Sequence, residues 1–266
     1  MNEQFIDECL ETCEAAARAG GRELLDRQGQ FRTREKAPAD LVTDADEASQ
    51  DAIQRVIFAR FPGHAFIGEE QPARDPLAKQ AEFTWIVDPL DGTTNYVHGY
   101  PQYAVSVALA AGTKLLAGVV YDPVAGNCFS AAAGRGAWCD GVPMRTSNVT
   151  TVSAALAIVS LPAHVRRDSP DLADFIEASL ICQAVRRSGS AALNFAYLAK
   201  GALDAFWARH IHSWDVAAGV LMVREAGGVV TSRDGGEFSL WKPDFLAAAG
   251  CELHTALLNA LGRKNQ

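Results

Sequence analysis

In Ile86-Val87-Asp88-Pro89-Leu90-Asp91-Gly92-Thr93-Thr94-Asn95, two aspartates stand three positions apart across a proline, and a Gly-Thr-Thr run follows at once. Carboxylates that converge repel each other unless one is protonated or a cation lies between them. Oxygen donors with no His or Cys beside them suit a hard cation, Mg²⁺ before Zn²⁺. Asp88, Asp91 and the Leu90 carbonyl between them are therefore candidate metal ligands. The N–H groups of Gly92 and Thr93 can approach an anion closely, as amides do at turns and helix starts. The Thr93 and Thr94 hydroxyls can hold a water.

Other acids stand at the ends of apolar segments. Gly68-Glu69-Glu70 follows Phe66-Ile67, and strand alternation would send the two glutamates to opposite faces, so at most one is a natural partner for the same ion. Trp214-Asp215 opens a run of small apolar residues, which suits Asp215 as a helix cap or as a ligand held at a helix start. Asp40-Leu41-Val42-Thr43-Asp44-Ala45-Asp46 carries three more carboxylates in a capping context, and spacing does not choose between Asp44 and Asp46. Singly, each reads as a turn, a cap or a surface acid.

These residues need elements to hold them. Helical spacing of apolar residues runs from 3 to 29 and again from Asp44 to Arg60, the second with Thr43 as its cap. The segment between them, ending in Asp40-Leu41-Val42-Thr43, reads as a loop. Phe83 to Val87, Ala104 to Leu109, Leu115 to Tyr121 and Asn127 to Ser130 read as strands of an antiparallel meander, the first ending where Pro89 can no longer donate to a ladder. From about residue 150 strands and helices alternate. Strands are expected at Ala155 to Ser160, Leu203 to Trp207, Val229-Val230 and Phe245 to Ala249, and helices at Leu172 to Leu180, Ser190 to Lys200 and Asp215 to Ala226. This predicts an α+β protein of stacked sheet and helix layers. Its N-terminal half (1–150) holds most candidate ligands, and its C-terminal half (151–266) holds Asp215 and packs closely against the first.

A net charge of -8 over 266 residues argues against a nucleic-acid surface. No run reaches the about 18 apolar residues of a membrane span, and the acidic, helical N-terminus is not a secretory signal. Six scattered cysteines without tight Cys-x-x-Cys pairs read as reduced thiols of a cytoplasmic protein.

The three acidic motifs, in this order, resemble those of the inositol monophosphatase family of Mg²⁺-dependent, lithium-sensitive phosphatases. The resemblance extends to Asp40-Leu41-Val42-Thr43, to Gly134-Arg135-Gly136-Ala137-Trp138-Cys139-Asp140-Gly141 and to Glu225-Ala226-Gly227-Gly228. It implies a layered αβαβα sandwich with mixed and antiparallel sheets, a homodimer, and two or three Mg²⁺ ions. The ions would be held by Glu69, Asp88, Asp91, Asp215 and the Leu90 carbonyl. It implies that Asp46 and Thr93 orient the attacking water with Glu70 as a supporting acid, and that the Gly92 and Thr93 amides hold the phosphate. Gly189, Ser190 and Ala191 would border the leaving-group alcohol.

The family's inositol-binding glutamate, seven positions before Asp215, is here Ala208, so Arg209 or His210 would replace its contact, with His210 placed near the substrate. The substrate implied is a small phosphate monoester, inositol monophosphate first. Histidinol phosphate, fructose 1,6-bisphosphate or a nucleotide 3'-phosphate are the alternatives. A regulatory, protein-binding homologue is a third reading.

Overall fold

Within the meander, neighbouring residues of a strand enter different apolar clusters. Trp85 and Val87 pack on one side of the sheet and Ile86 on the other, as do Val107 against Ala108. A sheet buried on both faces needs helices on both. The computed structural model describes residues 3–37, 40–70, 78–162 and 165–262, without the side chains of 36, 37 and 40. The chain runs α1 (Glu3–Arg27), β1 (Thr33–Ala37), β2 (Asp40–Thr43), α2 (Asp44–Arg60), β3 (Ala65–Gly68), β4 (Thr84–Asp91), α3 (Thr93–Val97), β5 (Ala104–Ala111), β6 (Lys114–Tyr121), β7 (Cys128–Ala132), β8 (Gly136–Cys139) and β9 (Val142–Pro143). It continues through β10 (Leu156–Ser160), α4 (Pro170–Ile181), β11 (Ala184–Arg186), α5 (Ala191–Ala199), β12 (Ala205–Ala208), α6 (Ser213–Glu225), β13 (Val229–Ser232), β14 (Phe245–Ala248) and α7 (Cys251–Gly262).

Strands β3 to β9 form a seven-stranded sheet in chain order, antiparallel except for the parallel pair β3 and β4. A five-stranded mixed sheet has the order β11-β10-β12-β14-β13. Helices α1 and α2 cover the outer face of the first sheet, α5 and α6 fill the space between the sheets, and α4 and α7 cover the outer face of the second. The result is the five-layer αβαβα sandwich. The central layer sits tight: a Cβ placed on Gly118 of β6 would lie 2.8 Å from the Cα of Ala218 in α6.

Two expectations are corrected. Pro89 does not end its strand, since β4 runs on to Asp91 through an irregularity that puts Pro89 and Leu90 opposite the single Val105. A bulge tolerates the missing N–H of proline, so the ladder resumes instead of stopping. The loop before α2 is a two-stranded antiparallel ribbon, β1 with β2. The described β1 side chains Thr33, Arg34 and Glu35 are exposed and carry no apolar alternation, while Val42 and Thr43 of β2 are buried. The C-terminal helix α7 and strands β8, β9 and β11 were not anticipated either.

Candidate active site

The β4 bulge builds the first part of the site. Asp88 pairs with Ser106 and Asp91 with Ala104, and between them the Leu90 N–H donates to the Asp88 carboxylate at 3.0 Å. Asp215, in the first turn of α6, brings the third carboxylate, and oxygens of Asp88, Asp91 and Asp215 all lie within 4.8 Å of one another. No lysine or arginine among the described residues pairs with any of the three.

Burial pushes the Asp88 and Asp215 carboxyls well above the usual carboxylate range, and the charges of Glu69 and Asp91 push them further. Burial likewise raises Asp91 to about 6, against the opposing pull of its hydrogen bonds from Ser190, Ala192 and Ala191. Like charges held together without a counter-cation are what a divalent metal neutralises, and the all-oxygen donor set fits a hard ion.

Each acidic residue has its own support. Asp91 accepts the amides of Ala191 (3.1 Å) and Ala192 (2.8 Å) and the hydroxyl of Ser190, so the first turn of α5 reaches across from the second half of the chain. Asp215 accepts the His212 amide at 2.7 Å. The Glu69 amide donates to the Val87 carbonyl at 3.2 Å, placing Glu69 beside β4, and its charge is the first that bears on Asp88. Glu70 donates its amide to Gln50 Oε1 at 3.1 Å.

The meeting of Asp46 and Thr93 is set by α2. Asp46 is fully buried and accepts the Thr43 amide (2.8 Å) and hydroxyl (2.6 Å) in a capping box. The Thr93 hydroxyl lies 3.2 Å from its other oxygen and 3.1 Å from the Leu90 carbonyl. Burial raises the Asp46 carboxyl to about 6, offset in part by Thr43. Asp44 instead accepts the Arg32 amide at 3.0 Å and faces away. Gly92 turns the chain into α3 at φ 100°, and a Cβ there would meet the Gln102 carbonyl at 2.9 Å. The side chains of Lys36 and Asp40 lie outside the described residues.

A cavity of about 770 Å³ opens on this cluster, lined by Asp91, Asp215, Thr94 and Asn95. Leu41, Leu161, Ile211, Glu35, Arg187, Gly189 and Ala191 also line it. Of the predicted alcohol-binding residues, Gly189 and Ala191 face it. Ser190 does not: it is fully buried, bonds Asp91 and caps α5 by accepting the Leu193 amide at 3.3 Å. His210 does not line the cavity either, and its amide donates to Asp244 at 3.0 Å. Arg209 turns away from the site, bonding Asp171 (3.4 Å) and Asp174 (2.6 Å). Ala208 is buried at the end of β12, opposite Ser160.

Sequence reasoning missed Ser49, Gln50 and Asn95. Ser49 and Gln50 are polar residues on the buried face of α2, which is the signal that could have found them. The Asn95 amide donates to the carbonyls of Gln102 (2.6 Å) and Ser188 (2.9 Å), tying α3 to the Gly189 turn, where a Cβ would come 2.8 Å from Asn95 Nδ2.

The model of the inositol monophosphatase family matches residues 6–266. The chain belongs to this family. Among its relatives, inositol monophosphatase 3 of Solanum lycopersicum is 39% identical, with 97% of each chain covered. A Nus factor SuhB of Pasteurella multocida is 37% identical over 88% of each. The solved inositol monophosphatase of Anabaena sp. PCC 7120 superposes with a TM-score of 0.85 at 35% identity, over 97% of both chains. This member of the inositol monophosphatase family is thus a phosphatase of phosphate monoesters; the family is metal-dependent, and Asp88, Asp91 and Asp215 form a carboxylate cluster that could hold an ion. None of the helices among its described residues is long and apolar enough to cross a membrane.

Proposed function

We propose that the phosphatase uses Mg²⁺ at Glu69, Asp88, Asp91, Asp215 and the Leu90 carbonyl to hydrolyse a small phosphate monoester, with inositol monophosphate the first substrate. The observation that carries this is the group of three carboxylates, two buried and one half-buried, with no lysine or arginine partner among the described residues, its Asp91 and Asp215 lining a cavity. Bound divalent ions supply charge neutralisation at the phosphoryl group and acidify water.

The chain's own residues do the rest. Asp46 accepts the Thr93 proton, which leaves the Thr93 oxygen free to accept a proton from the attacking water, and Glu70 stands by as a supporting acid. The first amides of α3, at Gly92 and Thr93, have no helical carbonyl to bond and hold phosphate oxygens. Gly189 and Ala191 border the alcohol. Phosphate release from a panel of monoesters with Mg²⁺ tests this, and full activity in Asp91→Asn would overturn the site.

A second reading changes the alcohol only. Ala208 offers no carboxylate, Arg209 is committed elsewhere, and the cavity lining includes Leu41, Leu161 and Ile211 beside Glu35 and Arg187. A wall without that carboxylate holds a polyol less selectively. Histidinol phosphate, fructose 1,6-bisphosphate and a nucleotide 3'-phosphate belong in the same panel, where relative kcat/KM decides. The family resemblance further supports a cytoplasmic homodimer inhibited by lithium. Gel filtration and a lithium titration test the last two.

A further inference from the structure

Three consecutive contacts leave one face of α2, and each reaches a different part of the metal site. Asp46, Ser49 and Gln50 stand at i, i+3 and i+4, so their side chains share a face. All three are buried. Asp46 takes the Thr93 hydroxyl. Ser49 donates its hydroxyl to the Pro89 carbonyl at 2.8 Å, in the bulge between Asp88 and Leu90. Gln50 accepts the Glu70 amide at 3.1 Å, one residue beyond Glu69.

The Gln50 amide lies directly against Gly68, where a Cβ would sit 2.2 Å from its Oε1. Ser49 is pressed from behind by α1: a Cβ on Gly20 would come 2.6 Å from its hydroxyl. Both side chains therefore have little room to move.

We propose that Ser49 and Gln50 are positioning residues for the metal ligands. With Asp46 they make α2 a rigid template that sets the spacing of the Glu69, Asp88–Asp91 and Thr93 segments before any metal arrives. The physical need is clear. Four carboxylates on three segments repel one another, so the backbone that carries them must be tied from outside the cluster. Ser49 fixes the Pro89 carbonyl, which leaves the next carbonyl, that of Leu90, on the site side of the bulge. Gln50 fixes the amide after Glu69. Both ties are neutral, so they add no charge to compete with the metal, and the Ser49 bond is buried and the Gln50 bond part-buried, so that loss of either leaves a shielded polar group without its partner.

The inference rests on the metal-dependent reading above, and its failure is distinguishable from failure of that reading. A wild-type chain that neither binds Mg²⁺ nor turns over monoesters would remove the reading itself. The inference is decided by comparing variants with a functioning wild type. Ser49→Ala and Gln50→Leu are assayed for Mg²⁺ activation and for Mg²⁺ binding by calorimetry, with KM for the monoester measured at saturating metal and thermal melting recorded in parallel.

The expected result is a rise of about tenfold in the Mg²⁺ concentration for half activity, the scale of one buried hydrogen bond. Binding should weaken to match and KM should change little. A fall in melting temperature with unchanged Mg²⁺ dependence in both variants would overturn the proposal, as would a changed KM with Mg²⁺ affinity at the wild-type value. Should Gln50→Leu fail to fold, Ser49→Ala, which removes a single oxygen, carries the same test alone.

Discussion

Two groups of buried charges lie in this molecule, and they are built on opposite principles. Arg209, Arg233, Asp171 and Asp174 pack together at 12%, 8%, 5% and 8% side-chain exposure, with Asp174 bonding Arg209 at 2.6 Å and Arg233 at 2.7 Å. Two cations and two anions cancel. Asp88 and Asp91 are as well buried, Asp215 somewhat less so, and the three share one sign, with Glu69 adding to the same field. The first group is complete in itself and holds α4 against the end of β12. The second is not balanced within the chain, so protonation or a bound cation must relieve it, and backbone amides, the Ser190 hydroxyl and the Ser49 and Gln50 ties hold it assembled. Unbalanced charge under burial is what separates a site from a brace.

The sharpest break of this contrast is Asp174→Ala. Removing one partner of a buried pair leaves an uncompensated guanidinium, so about 3–5 kcal/mol of stability should be lost in denaturant melts. The Mg²⁺ requirement of the surviving enzyme should stay where it was. Asp88→Asn should do the reverse: kcat falls on the order of 10²–10³-fold, the scale of losing one preorganised charge-stabilising group. The metal-free protein should melt no lower than wild type, because one repulsive charge has gone.

A third outcome concerns pH. Carboxyls whose pKa is higher in the fold than in the unfolded chain stabilise at low pH and lose that contribution as pH rises through the folded value. With Asp46 and Asp91 raised from 3.8 to about 6, the metal-free protein should lose stability between about pH 4 and 6 relative to the metal-loaded one. Melting curves with Mg²⁺ and with chelator should therefore diverge as pH rises, and parallel curves would contradict the raised carboxyls. The smallest effect is expected from Ser190→Ala. Loss of the α5 cap should cost about 1 kcal/mol in stability. A few-fold weaker Mg²⁺ affinity should accompany it, because Asp91 loses one of three donors.

Much of this was legible along the chain. Thr43 caps α2 over the range that periodicity marked, and the meander from β4 to β7 follows from alternation and short turns. The acids that meet at the site stand where apolar segments end. What was not legible involves partners far away in sequence. Pro89 looks like a stop until β5 is present to continue the ladder. Arg209 looks available to substrate until Asp171 and Asp174 on α4 claim it. Ser190 looks like a pocket residue until Asp91, 99 positions earlier, takes its hydroxyl.

The sequence by itself determined the donor chemistry, carboxylate and carbonyl oxygens around a proline beside a Gly-Thr-Thr run, because donor type, capping and turn preference are local properties. Only the tertiary structure decided which carboxylates share the site. Asp46 rather than Asp44 faces Thr93, and Asp215 closes the group from the other sheet's side of the sandwich. That choice depends on how α2, β4 and α6 pack, and a buried like-charge cluster exists only where packing between distant segments forces it.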